Sequence, residues 1–363
     1  MPSKKNIFTN IQENEQSIFK DESVFYPDYF PENIVARDNQ TKELSYLLKP
    51  LLSNKKANNI IIYGPPGTGK TLLSNYVLKQ LNEYTNKTKY TYINCIQDNT
   101  RFAILSKLIN FFEGALPRRG LAIDEVWTRL QELFKKSNFF PIIILDEIDK
   151  LSSDDTSALL YDLCRHSEKS KYFTLILITN YKSFILDLDS RTQSSLYLSE
   201  IEFPKYNPID LKLILKERIE YGLIPEAISN DLIGYIAGYA ATKAGDARIA
   251  IDLLYKSAKE SEKHGDLKIT KDILLSSSRL VDSIKLSEKV KSLSKDEYEV
   301  LCLIGNGVKA SEIYNNTKLS ERTVRRYLEK LDKLELVDII KVDGGKGPSR
   351  KISLKVDKDL LDY

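Results

Sequence analysis

The rhythm of hydrophobic and polar positions changes twice along this chain. In the first half, four short apolar runs stand out: Ile60-Ile61-Ile62-Tyr63, Tyr90-Thr91-Tyr92-Ile93, Ile142-Ile143-Ile144-Leu145 and Thr174-Leu175-Ile176-Leu177-Ile178. Helical sequence separates them, which is the pattern of strands covered on both faces in a parallel sheet. Tyr197 to Phe203 supplies a shorter fifth run. The alternation predicts an α/β fold with a doubly wound parallel sheet, whose ligands sit at the carboxyl ends of the strands. Ahead of the first strand, Leu44, Leu47, Leu48 and Leu51 predict a helix over Arg37 to Leu52.

From Asn207 the strand pattern stops. Amphipathic helices are predicted over Asp210 to Tyr221, Asn230 to Tyr239, Asp246 to His264 and Thr270 to Val281, followed by a charged connector over Asp282 to Ser294. The last stretch, Leu293 to Leu354, predicts a winged helix-turn-helix. Its helices run over Lys295 to Ile304, Lys309 to Asn315 and Ser320 to Leu334, and a hairpin follows with a glycine-rich tip at Asp343 to Arg350. The domains expected are therefore a loose polar arm (1–23), an α/β domain (24–206), a helical domain (207–283) and the winged helix (284–363). Aromatic residues between prolines, from Val24 to Asn33, suit an extended segment packed on a surface.

Length fits this division, since 363 residues hold two or three domains of about 100–200 residues each. Three separated cysteines (Cys95, Cys164, Cys302) point to a reducing compartment, and two distant histidines exclude a zinc site of the usual spacing. Met1 to Lys20 is polar, and no stretch approaches the roughly 20 apolar residues that span a bilayer. A cytoplasmic protein without a membrane partner is expected.

The chemistry begins where the first strand ends. Gly64-Pro65-Pro66-Gly67-Thr68-Gly69-Lys70-Thr71 is a phosphate-binding loop between a strand and a helix. Its backbone N–H groups can wrap phosphates at a helix N-terminus, Lys70 can reach the β- and γ-phosphates, and the Thr71 hydroxyl can ligate magnesium. The third aliphatic run delivers Asp146 and Glu147 at its carboxyl end. Asp146 suits the metal and Glu147 suits the attacking water. Asn180 ends the neighbouring run, where its amide can hold that water. Arg191 and Arg248 are by composition surface arginines.

A net charge of only +3 does not announce a nucleic-acid binder, so local clustering matters more. Between Lys318 and Lys351, Lys and Arg outnumber Asp and Glu. In the last predicted helix Val324, Leu328 and Leu331 share one face, while Arg322, Arg326 and Lys333 share the other, flanked by Arg325 and Lys330. With Lys346, Arg350 and Lys351 in the wing, this predicts a helix for the major groove and a wing for the backbone or minor groove. A solvated charged face is the plain alternative.

In this order the pieces resemble an AAA+ ATPase of the archaeal origin-recognition and cell-division-cycle initiator family. The motifs that carry the resemblance are Tyr26-Pro27-Asp28-Tyr29, Arg37, the glycine-rich loop, Tyr92-Ile93-Asn94-Cys95, Leu145-Asp146-Glu147-Ile148-Asp149, Ser194-Ser195-Leu196, Phe203-Pro204-Lys205-Tyr206 and Gly245-Asp246-Ala247-Arg248. The resemblance implies an AAA+ module with a helical lid and ATP or ADP with Mg2+ as cofactors. The adenine would lie near Tyr29, Phe30, Ile34 and Val35, with Leu72, Tyr206 and Arg218 completing the nucleotide site. It implies Asn180 and Arg248 as sensors of the γ-phosphate and Arg191 as a finger acting on a neighbouring subunit. Arg118 and Arg119, in an inserted helical element, would touch DNA. Ala36 departs from the histidine often found before the arginine. The function implied is slow ATP hydrolysis as a switch on binding of double-stranded origin DNA, with the replicative helicase and other initiator subunits as partners. An ATP-controlled transcription regulator or a branch-migration motor would share the architecture.

Overall fold

A computed structural model describes residues 17–113, 122–169, 173–304, 308–317, 319–334, 336–344 and 347–354. It divides into two compact units, Met1–Ile269 and Thr270–Tyr363.

The first unit opens with α1 (Asp38–Leu48), β1 (Asn59–Tyr63), α2 (Lys70–Tyr84) and β2 (Thr88–Asn94). It continues through α3 (Arg101–Glu113), α4 (Ile123–Lys136), β3 (Phe140–Asp146), α5 (Ser153–Lys169), β4 (Thr174–Thr179), α6 (Ser190–Leu196) and β5 (Leu198–Glu202). The five strands form one parallel sheet in the order β2-β3-β4-β1-β5. β1 and β4 are buried throughout, and β3 from Pro141 onward, as their unbroken aliphatic runs require.

Alternation still sorts these side chains by face. Ile61, Ile143, Leu145, Leu175 and Leu177 join a core with α3, α4 and α5. Ile60, Ile62, Ile142, Ile144, Ile176 and Ile178 join a second core with α1 and α2. Truncating one of these to alanine costs about 2–5 kcal/mol. The buried Asn59 amide donates to Leu196 O (2.7 Å) and accepts from Leu175 N (3.0 Å), which ties β1 to β4 and to the end of α6.

The helix predicted over Arg37 to Leu52 stops being α-helical at Leu48. Pro50 has no N–H to donate, and the chain closes with a 3-10 turn over Lys49–Ser53. Residues 17–23, read as part of a loose arm, are packed, while residues 1–16 lie outside the described residues. Ile18 is fully buried, Phe19 pairs with Leu223, and the backbone N–H groups of Lys20 and Asp21 donate to Gly222 O. Two apolar residues after a polar run are enough to bind the chain from Ser17 onward.

The lid consists of α7 (Pro208–Gly222), α8 (Asn230–Thr242) and α9 (Ala247–Lys263). Asn207 caps α7 through Ile209 N and Asp210 N, with Asp210 reaching back to Asn207 N.

The second unit begins with α10 (Lys271–Lys291). Of the stretch read as a charged connector, Asp282 to Lys291 is the second half of this helix, so the boundary drawn at 283/284 lies inside a continuous element. It continues with α11 (Lys295–Leu303), β6 (Val308–Lys309), α12 (Ala310–Asn316), α13 (Glu321–Lys333), β7 (Val337–Gly344) and β8 (Gly347–Leu354). β6, β8 and β7 form a three-stranded antiparallel sheet, with Gly344 opposite Gly347 at the hairpin end. Three helices and this sheet enclose Val300, Leu301, Ile313, Val324, Leu328, Leu331 and Ile352. That is a winged helix, and Ser320 caps α13 as expected.

Candidate functional site

A cavity of 650 Å³ opens at the carboxyl ends of β1, β3 and β4, between the sheet and the lid. Its size falls within the range of about 300–1,000 Å³ usual for small-ligand pockets. The loop after β1 forms one end. Gly67 (φ +70°) and Gly69 (φ +87°) adopt left-handed backbone there. A Cβ at Gly67 would strike the Asp246 carboxylate, and one at Gly69 would lie 2.8 Å from the Tyr206 hydroxyl. Both positions need glycine for conformation and for room.

Lys70 begins α2 and is buried. Its ammonium donates to Gly64 O (2.6 Å), Pro65 O (2.9 Å) and Asn180 Oδ1 (3.0 Å). Burial pulls its pKa down, and the carboxylates of Asp146 and Glu147 oppose that pull. Next to it, the Thr71 hydroxyl donates to Asp146 Oδ2 at 2.6 Å. Tyr92, on β2, donates its hydroxyl to the same oxygen at 2.8 Å, and Glu147 N donates to Oδ1 at 2.9 Å. A hydroxyl and a carboxylate side by side at a phosphate loop are hard oxygen donors that fit magnesium. Glu147 takes left-handed backbone (φ +54°) and lines the cavity beside Asn180.

The lid closes the opposite wall. Ala247 N donates to Gly67 O at 3.1 Å, a direct bond from the first turn of α9 to the phosphate loop. Arg248, on the same turn, lines the cavity while its guanidinium is held by Asp246 (2.9 and 3.2 Å). Arg37 works from beneath. It is buried, donates to Thr68 O (3.0 Å) and Pro204 O (2.7 Å), and lies 3.7 Å from the Tyr206 ring centre. It thereby fixes the loop to the segment that leads into the lid.

The far end of the cavity belongs to the N-terminal segment and the lid helices. Tyr29, Phe30, Ile34 and Val35 line it, with Tyr206, Ile214, Glu217 and Arg218. Arg218 is buried, donates to Val24 O (3.2 Å) and sits 4.3 Å from the Tyr29 ring centre. Burial lowers the Arg218 pKa and raises those of Glu217 and Tyr29. Phe30 stacks on Tyr76 of α2 (6.3 Å), while Phe25 stacks on Tyr255 of α9 (6.0 Å). The segment therefore bridges sheet domain and lid across the cavity mouth.

Of the residues expected at a nucleotide, the loop from Pro66 to Leu72, Asp146, Glu147, Asn180 and Arg248 all line this cavity. Gly64 and Pro65 act on it through their carbonyls on Lys70. Arg191 does not join them; it is exposed on α6, where Asp189 caps the helix through Arg191 N and Thr192 N. Sequence reasoning missed Glu217, Ile251 and Tyr255 of the lid, and gave Arg37 and Tyr92 no role. The i, i+4 step from Ile251 to Tyr255 was the one available signal.

On α13, Arg322, Arg325 and Arg326 are exposed. Arg325 hydrogen-bonds Tyr314, which raises its pKa. Lys330 is different: it donates to both carboxylate oxygens of buried Glu297 on α11 (2.9 and 2.8 Å). Arg118, Arg119 and Lys346 lie outside the described residues, as do the side chains of Arg350 and Lys351 in β8.

Comparison with known proteins agrees with the α/β domain and the helical lid. Residues 53–184 match an AAA domain, and residues 212–277 match a Cdc6 AAA+ ATPase-type lid domain. The chain is 34% identical to ORC1-type DNA replication protein 1 of Sulfurisphaera tokodaii, over 95% of this chain and 92% of that one. Among solved structures it is similar to the Aeropyrum pernix ORC1 protein in complex with DNA, with a TM-score of 0.76, 28% identity and 96% of each chain covered. The Aeropyrum pernix ORC2 protein, solved as ADPNP and ADP complexes, has the same fold (TM-score 0.68, 22% identity, 95% of this chain and 96% of that one).

Proposed function

The chain belongs to the family of ORC1-type DNA replication proteins, and from that premise we propose that it is an ATP-controlled replication initiator that binds double-stranded origin DNA. ATP would lie with its phosphates in the loop from Gly64 to Thr71 and its base against Tyr29, Phe30, Ile34 and Val35. Thr71 and Asp146 would hold magnesium, which supplies charge neutralisation at the β- and γ-phosphates when bound. Glu147 orients and deprotonates the attacking water, Asn180 fixes it against the γ-phosphate, and Arg248 senses that phosphate from the lid. Arg191, exposed on α6 and absent from the lining of its own cavity, serves the site of a neighbouring subunit.

The observation that carries this reading is the bond from Ala247 N to Gly67 O, with Arg248 on the same turn. Phosphate arriving at the loop acts on the first turn of a lid helix, so nucleotide state biases the lid. Hydrolysis is slow and serves as a timer, and helicase recruitment belongs to the ATP state. DNA is bound through the exposed arginines of α13 and through the wing. The test is to map genomic DNA co-precipitated with the protein. Enrichment at replication origins is expected; enrichment at promoters without origins would make the protein a transcription regulator instead.

A further inference from the structure

Asp146 is held on three sides. Oδ1 accepts from Glu147 N, and Oδ2 accepts from both Thr71 Oγ1 and Tyr92 OH. Two of these donors belong to the phosphate loop's helix and to the end of the acidic strand itself. The third comes from β2, the edge strand next to β3, where Tyr92 stands opposite Ile144 and Asn94 opposite Asp146.

A Thr71 oxygen that ligates magnesium does so through a lone pair and keeps its proton, so the same hydroxyl would serve both the metal and Oδ2. Tyr92 is the side-chain donor to Oδ2 that is not itself assigned to the metal. Its ring packs with Tyr90 against the core beneath α2, so the hydroxyl is presented from a rigid strand and not from a loop.

We propose that Tyr92 is a positioning residue for the metal: its hydroxyl holds Asp146 Oδ2 in place so that the carboxylate and Thr71 can take magnesium together with the triphosphate. This rests on the assignment of Thr71 and Asp146 to magnesium made above. Outer partners of a metal-binding carboxylate typically contribute about 10–100-fold in metal affinity or activity.

The test compares ATP affinity in excess magnesium and in excess EDTA, by calorimetry, for the full chain and for Tyr92→Phe. The expected result is an affinity in EDTA that is unchanged in the variant, while the enhancement by magnesium falls by about 10-fold or more. A second arm repeats the pair in an Asp146→Asn background, where Tyr92→Phe should have no further effect on the magnesium enhancement. Circular dichroism and melting of each variant confirm a folded sample, and Tyr92→Trp, which keeps a donor N–H, is a second probe should the phenylalanine variant fail to fold. An equal magnesium enhancement in wild type and Tyr92→Phe overturns the inference. Equal losses with and without magnesium overturn it too, because they mark a general packing role. If wild-type affinity ignores magnesium altogether, the metal assignment falls and the inference with it.

Discussion

The two regions of this protein treat charge in opposite ways. In and beneath the nucleotide cavity Lys70, Asp146 and Arg37 are buried, and each is held by named donors or acceptors within 2.6–3.0 Å. On α13, Arg322, Arg325 and Arg326 are exposed. A buried charge is held because leaving it unpaired is costly, and its geometry is thereby fixed before a ligand arrives. An exposed charge is left to find phosphates through its field, and it yields to salt. Lys330 is the exception that makes the contrast useful: it lies among the basic residues of α13 yet is bonded to Glu297.

The largest effect should come from the fixed region. Glu147→Gln is expected to leave ATP binding intact and to slow hydrolysis by about 10²–10⁴-fold, as loss of a general base does. Measuring phosphate release alongside nucleotide binding separates the two. Lys70→Ala should weaken ATP binding by about 100-fold, given that hydrogen bonds to charged groups contribute about 1.5–3 kcal/mol each. Calorimetry checks this, and near-native affinity would remove the loop from the mechanism.

In the exposed region, Arg322→Ala together with Arg326→Ala should weaken DNA binding. The slope of log affinity against log salt should become shallower by about 1 for each phosphate that is no longer neutralised. Unchanged affinity and slope would show that α13 is only a solvated face. The smallest effect should come from the exception. Lys330→Met should destabilise the winged helix by about 1 kcal/mol, after allowing for solvent at the half-exposed lysine. Lys330 lowers the Glu297 pKa below its unfolded value. The pair therefore contributes stability above the unfolded carboxylate pKa, and loses it as pH falls through the folded one. Melting curves of wild type and variant should differ near neutrality and converge in acid.

What could be seen in the residues, and what could not, follows the same division. The sheet was legible because Ile60-Ile61-Ile62 and Ile142-Ile143-Ile144 permit little else, and the phosphate loop because its glycines are required by close approaches. Asp146, Glu147 and Asn180 followed from their places at strand ends. The far cavity wall was legible in part: Tyr29, Phe30, Ile34, Val35, Tyr206 and Arg218 were expected through the resemblance and line it, while other positions were hidden. Glu217 and Tyr255 lie on amphipathic helices, where a cavity-facing position carries the same pattern as a core-facing or solvent-facing one. The second half of α10 was hidden by its charge, which looks like a connector until the backbone is seen. Lys330 was assigned to the basic face because its partner lies 33 residues away, beyond any local pattern. Tyr92 appeared only as one letter of a motif, since its target is set by strand pairing.

The bridge across the cavity mouth joins chain segments far apart in the sequence. Phe19 and Glu22 are fastened to Leu223, Tyr255 and Lys259, while Phe30 leans on Tyr76. A nascent polypeptide that has released its phosphate loop from the ribosome still lacks the wall that would close around the base. The capacity to retain nucleotide thus arrives late in synthesis, with α9, and a truncated product ending before that helix should be unable to masquerade as a loaded initiator.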